Sequence, residues 1–508
     1  MGVLKMKKII SLLLTITMAF CIIASIPLSA SAITTNKVES NLTYTNQYGS
    51  WSYELTDNGE GYRITGYNQG MTNIKIPSVI DNIPVLEIGA YAFYDCNNVT
   101  NITIPNGITS IGEYAFWNCN SITNITIPES VSYIHETAFL VGEKFTDIYV
   151  SPNNKHFSSI DGVLFDKNQS IIICYPCAKL SESYVIPETV NLIGCYAFAS
   201  AFYLTNITIP DSVIVIGSYG FINCVNLMDI TIPNSVTIIE NYAFYGCCSL
   251  TEIILPDSVT YIRDFAFSDC IALTNITIPD SVTDIGVSAF YNCSALKNIV
   301  IPDSVTSIGF AAFSGCSSLT EVKLPNSITE INVFTFYNCS ALKNITIPDK
   351  VTTISGYAFS DCSSLTNITI SDNVTSIGTY AFSNCSSLTS IISPDKVTTI
   401  GNYAFSDCYN MTNVYYTGDK NEWNSISIGS YNDCLTISNI HYNHIPSVSG
   451  DANGDNLISI VDVICVLKYV VSNAELTDEQ LANVDLSGDG KLTILDAIMI
   501  QKLLLNID

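Results

Sequence analysis

The sequence returns to the same place every 23 residues. Phe93, Phe116 and Phe139 stand 23 apart. After one interruption the file resumes at Phe198 and continues through Phe221, Phe244, Phe267, Phe290, Phe313, Phe336, Phe359, Phe382 and Phe405. One unit reads Phe290-YNCSALKNIVIPDSVTSIGFAA-Phe313, with apolar side chains at Leu296, Ile299, Ile301, Val305, Ile308, Ala312 and Phe313. A unit this short cannot bury its apolar side alone, so the period demands stacked copies, a repeat solenoid. The alternation in Asn298-Ile299-Val300-Ile301 predicts a strand with its isoleucines facing in. Pro302-Asp303 predicts a turn, and Gly309 a second corner. Strands of successive units are expected ~4.8 Å apart in one parallel sheet.

The Leu319-x-x-Val322-x-Leu324 spacing fits a leucine-rich repeat. Units of the form L-t-n-I-t-I-P-d-S-V-t-s-I-G-x-Y-A-F-s-x-C-s-s over residues 70–415 resemble the BspA-type leucine-rich repeat of bacterial surface and secreted proteins. The resemblance implies a right-handed superhelix with a parallel β-sheet, used for binding and adhesion and without a general catalytic role.

Three files run along the expected stack. Cys96, Cys119, Cys224, Cys247, Cys270, Cys293, Cys316, Cys339, Cys362, Cys385 and Cys408 all lie three residues after the repeat Phe. They predict a ladder of buried, reduced thiols, because side chains on stacked rungs run parallel instead of toward each other. Zinc is disfavoured there, since the ladder has no C-x2-C pair and no nearby His. Cys174-Tyr-Pro-Cys177 is a C-x2-C pair without a thioredoxin-like context. The redox states of Cys174, Cys177, Cys195, Cys248, Cys434 and Cys465 stay open. Outward strand positions form an Asn/Thr ribbon, for example Asn275/Thr277 and Asn367/Thr369. A third file holds Tyr91, Tyr114, Tyr196, Tyr219, Tyr242, Tyr357, Tyr380 and Tyr403, two residues before the Phe. The ribbon reads first as a plain solvated face and the tyrosines as a cover for the coil corner, with ligand contact as the alternative for each.

The ends divide the chain. Lys5, Lys7 and Lys8, the apolar run Ile9 to Ile26, and Ala30-Ser31-Ala32 predict a signal peptide over 1–32 and export. No membrane partner is expected after cleavage. Residues 33–69 are expected to form an N-terminal β cap, with Asn58-Gly59 as a hairpin turn. Residues 70–442 form the solenoid, with an irregular insertion at 140–185 that adds a strand and turn at Ser159 to Phe165. The closing cap spans 414–442, with Trp423 over the last coil, and 443–450 is a linker. A net charge of −26 disfavours nucleic acid. His135, His156, His441 and His444 sit in no catalytic motif, and the repeats leave no room for a catalytic domain.

A different pattern fills 451–508. Asp451, Asn453, Asp455, Leu457, Ser459 and Asp462 recur 34 residues on as Asp485, Ser487, Asp489, Lys491, Thr493 and Asp496. Oxygen donors at positions 1, 3, 5, 9 and 12, with the carbonyl of position 7, are the ligand set of an EF-hand-type loop. Two calcium ions are expected. Each loop leads into a helix, Val461 to Val471 and Leu495 to Leu505, with a core expected from Ile464, Leu467, Ile498 and Leu503.

This duplicated loop-helix resembles a type I dockerin over residues 449–508, a small all-α module that calcium folds and that docks on a cohesin domain. The resemblance places cohesin contacts at Ile460, Val461, Leu467, Lys468, Ile494, Leu495, Gln501 and Lys502. The apolar loop pairs depart from the usual Ser/Thr. The whole reads as a secreted, extracellular, monomeric binding protein tied to a cellulosome, its solenoid taking a protein or polysaccharide ligand. An enzyme of polysaccharide breakdown and a cell-surface adhesin are the rival readings.

Overall fold

The computed structural model describes residues 42–68, 70–443, 452, 459–472, 476, 481, 484–486 and 491–505. The export segment at 1–32 lies outside them. Among the described residues no helix is long and apolar enough to cross a membrane.

Each 23-residue unit is one coil of a solenoid. Its first strand, such as Asn298–Val300, pairs in parallel with the strand one unit on, Glu321–Lys323, in register Ile299 to Val322. The outer residues are exposed and the central one buried, as the alternation predicts. Leu296, Ile299, Ile301, Val305, Ile308, Ala312 and Phe313 all lie in the core. A second file of parallel strands, only two residues each, runs along the other side of the coil. Asp284–Ile285 pairs with Ser307–Ile308 within a nine-stranded sheet that starts at Phe157. The stack therefore has two strand files where the sequence suggests one. Two residues are too few for alternation to register, so the second strand reads as part of a corner.

The repeat phenylalanines form a stacked column. Phe267, Phe290 and Phe313 succeed each other at 5.5 and 5.3 Å with planes 7° and 5° apart. Backbone bonds join the same corner, Phe290 N–H donating to the Ala312 carbonyl at 2.8 Å. On either side of every repeat Phe except Phe139 one residue takes the left-handed conformation. Asn or Asp commonly fills the second place, as at Asp361 (φ 64°), where a short polar side chain tolerates it. Tyr fills the first, as at Tyr380 (φ 59°). A bulky residue is strained there by about 1–2 kcal/mol. Its ring compensates by stacking: Tyr357, Tyr380, Tyr403 and Tyr431 follow one another at 4.7, 4.6 and 4.3 Å.

At the front, Gly49–Leu55 and Tyr62–Asn68 form an antiparallel hairpin whose turn contains Gly59 (φ 70°). Its Trp51 is fully buried against the first ring of the column, Phe93, at 6.1 Å. At the back, helix Lys420–Ser425 is fixed by a capping box, Asp419 accepting from the Asn421 and Glu422 amides while Glu422 accepts from Asp419. That box seats Trp423 edge-on against Tyr416 at 5.1 Å.

The irregular segment interrupts this order. Phe157–Ile160 and Val163–Asp166 form a hairpin about Asp161-Gly162, and Ile171–Cys174 adds a third, antiparallel strand. The segment holds a three-stranded meander where the sequence suggests one strand and a turn. The buried residues of the solenoid fall into two clusters that meet here, one running from Trp51 to Leu164 and the other from Val163 to Leu435.

The C-terminal residues form a separate packing unit. Helices Ile460–Ser472 and Ile494–Leu505 bury Val463, Val466, Ala497 and Ile500, with Ala452 and Val484. The expected core is corrected: Ile464, Ile498 and Leu503 are exposed, and Leu467 only borders the buried cluster. Both helices are apolar around most of their circumference, so no polar face fixes their rotation in the sequence.

Candidate metal and docking site

The two helix heads are built alike. The Ser459 hydroxyl accepts from the Val461 amide at 3.1 Å, and Asp462 Oδ2 accepts from the Ser459 amide at 2.7 Å. In the second copy the Thr493 hydroxyl accepts from the Leu495 amide at 3.2 Å, and Asp496 Oδ2 accepts from the Thr493 amide at 2.7 Å. Each pair is a reciprocal cap with Asp in the place of the usual Glu. Loop positions 9 and 12 therefore cap the helices, a role the sequence reading gave them only as metal ligands. Asp462 Oδ1 also accepts from the Ala452 amide at 3.0 Å, tying the start of the first loop to its end.

Asp462 and Asp496 have no exposed surface. A carboxylate so placed needs dense hydrogen bonding or a cation. The hard-oxygen donor set of both loops fits calcium, which wants six to eight oxygens. Asp485 is half-buried and Lys491 exposed. Asp451, Asn453, Asp455, Leu457, Ser487 and Asp489 lie outside the described residues.

The residues expected to meet a partner fall into two matching groups. Ile460 is 59% exposed and Val461 47%; their counterparts Ile494 and Leu495 are 61% and 51% exposed. Lys468, Gln501 and Lys502 are exposed, while Leu467 is half-buried. Ile464 and Ile498 extend the same apolar surface, and the sequence reading had assigned them to the core.

On the solenoid the cysteine file is buried in full. From Cys119 onward its thiols donate to the carbonyl of the Phe 26 residues earlier, as Cys293 does to Phe267 at 3.2 Å. Burial pushes Cys96 up to about 11, and Cys119 and Cys316 up to about 12. Cys434 continues the ladder, its thiol 2.7 Å from the Phe405 carbonyl. Tyr431 likewise extends the tyrosine file. Both stand off the 23-residue count because the last coil is longer, so spacing alone missed them. Cys177 donates to the Gly142 carbonyl at 3.1 Å, and burial pushes it up to about 11 and Cys174 higher. Neither thiol is set up as a nucleophile.

Residues 66–453 match the BspA type leucine rich repeat region in overlapping stretches. The chain belongs to that family. Residues 449–505 match the dockerin type I domain. The BspA-type solenoid is similar to a crystal structure of a leucine-rich repeat protein from Bacteroides ovatus, at 26% identity over 77% of this chain and 98% of that one, with a TM-score of 0.45. It is similar to a leucine-rich cell surface protein from Faecalibacterium prausnitzii at 26% identity over the same shares, with a TM-score of 0.39. No curated protein matches the chain. The dockerin match brings a cohesin as partner class and calcium as that class of module's ion.

Proposed function

We propose that this is a secreted, non-catalytic binding protein whose solenoid takes a protein or polysaccharide ligand while its dockerin fastens it to a cohesin-bearing scaffold. The matched pair of capped helix heads, each beside an exposed apolar pair, carries this reading. Asp451, Asn453, Asp455, the Leu457 carbonyl, Ser459 and Asp462 hold one calcium ion. Asp485, Ser487, Asp489, the Lys491 carbonyl, Thr493 and Asp496 hold the second. Calcium supplies the positive charge that lets these acidic loops close. Asp462 and Asp496 then hold the first turn of each helix, and each first turn fixes where Ile460/Val461 and Ile494/Leu495 point. Leu467, Lys468, Gln501 and Lys502 flank the apolar pairs. Cohesin buries those pairs, and their removal from water drives docking.

The non-catalytic reading is supported by two non-catalytic families that together account for residues 66–505. The basic, apolar and small-residue order of residues 5–32 supports export. The test is capture of the full chain on immobilised type I cohesins. Capture in calcium that is lost in Ile460→Asp with Ile494→Asp supports the reading; capture unchanged by that pair defeats it.

A further inference from the structure

The tyrosine file explains itself wherever it is continuous. Tyr196, Tyr219, Tyr242 and Phe265 stack at 4.5, 4.6 and 4.6 Å, so each interior ring has both faces covered by a neighbour and no face left for a ligand. A ring lacks a stacked neighbour on one side only where the file is cut, at Ser288 and Ala311 and at the irregular segment, and only the last of these cuts borders an aromatic-lined cleft. Thr137 stands where the next tyrosine would be. Tyr114 keeps one face on Tyr91 at 5.3 Å, and its hydroxyl meets that of Tyr196 across the interrupted coil, so Trp117 is the ring left to the solvent there. From the far side Tyr196 keeps one face on Tyr219.

Trp117 joins this edge, 5.1 Å from Tyr114 and 41% exposed. Between the two sides lies a cleft of about 450 Å³ lined by Tyr114, Trp117, Tyr196 and Phe202, with Asn223 and Glu143 among its polar groups. No lysine or arginine lines it. A larger groove of about 640 Å³ on the strand ribbon, beside Asn298 and Val300, has no aromatic ring.

We propose that this cleft binds a neutral polysaccharide, which deepens the ligand-binding half of the reading above and rests on it. Four points favour that occupant. The cleft has the volume of a small-ligand pocket, not the flat extent of a protein interface. Sugar rings present weakly positive C–H faces, which pack on the negative face of an aromatic ring. Side-chain amides both donate and accept, as hydroxyls require, and Glu143 accepts. The Glu143 charge and the absence of a lining cation turn away uronic acids and sulfated chains.

The test is affinity electrophoresis of the full chain through gels containing xyloglucan, galactomannan or mixed-linkage β-glucan, with polygalacturonate as the acidic probe. At least one neutral probe is expected to retard the protein and polygalacturonate is not. Trp117→Ala should weaken the retardation roughly tenfold. Glu143→Gln should weaken it less, and Tyr380→Ala, inside a continuous stack, should leave it unchanged. Both cleft residues are exposed, and an unaltered melting temperature confirms that their variants fold. No retardation by any neutral probe, full retardation of Trp117→Ala, or preference for polygalacturonate overturns the proposal. Cohesin capture of the same preparation keeps the two readings apart: capture without glycan binding sinks the cleft alone.

Discussion

The solenoid and the C-terminal helix pair solve the problem of a small hydrophobic unit in opposite ways. A coil such as Phe290 to Phe313 buries ten apolar side chains and meets a neighbour of its own shape on each side, so its stability comes from repetition. Among its described residues the helix pair buries six apolar side chains, Ala452, Val463, Val466, Val484, Ala497 and Ile500, and two carboxylates. A segment of about 60 residues that is not part of the repeat sits at the margin of stability. On the proposed reading, one part carries its own driving force and the other is left to a cation. Conditions that touch one part should leave the other unmoved.

The largest break is in the Phe column. Phe290→Ala removes a fully buried ring between Phe267 and Phe313 and should cost about 3–5 kcal/mol. Denaturant titration should show that loss, while calcium-dependent cohesin capture of the folded protein stays as it was. If capture falls in parallel, the two parts are not independent.

The reverse break uses Asp462→Asn with Asp496→Asn. The amide oxygen can still accept the cap bonds, but the charge is gone. The calcium concentration for half-maximal capture should rise roughly tenfold or more. The solenoid's melting temperature should hold, and an unchanged calcium requirement would remove these residues from the ligand set.

Alkaline pH acts on the solenoid through its thiols. Cys96, Cys119 and Cys316 stay protonated in the fold up to about 11 or 12, against 9.0 ordinarily. Unfolded thiols ionise first, so this contribution is whole below pH 9 and is lost as pH climbs through 11 to 12. Melting temperatures taken from pH 8 to 11 should fall. Native protein at pH 8 should resist alkylation at the ladder until denatured, and rapid labelling of the folded chain would contradict the burial.

The smallest effect sharpens the view of the stacked tyrosines. Tyr380→Ala should cost about 1 kcal/mol, the worth of its ring contacts, with no new disorder in the Phe column. A gain in stability would mean that backbone strain at φ 59° outweighs the stack.

The sequence was most legible where it repeats. Thirteen Phe positions settle which residues face inward, because each copy tests the same assignment again. Ser307–Ile308 escaped notice as a strand because two residues have no period. Tyr431 and Cys434 escaped because a longer last coil moves them off the count while the stack keeps them in file. In the C-terminal pair the spacing proposes the loop donors, while Ile464 and Ile498 were assigned inward and lie outward. A helix apolar on most sides gives no sign of which side its neighbour covers. The capping role of Asp462 and Asp496 was hidden for a different reason: one oxygen pattern serves both calcium and helix heads.

The most direct test of calcium-coupled docking is a single titration. The full chain is passed over immobilised type I cohesins at rising calcium, while its solenoid melting is followed in parallel with and without chelator. Capture should appear with calcium and vanish with chelator, and the solenoid transition should stay at the same temperature throughout. Undiminished capture in excess chelator, or a solenoid that melts when calcium is withdrawn, would contradict the account.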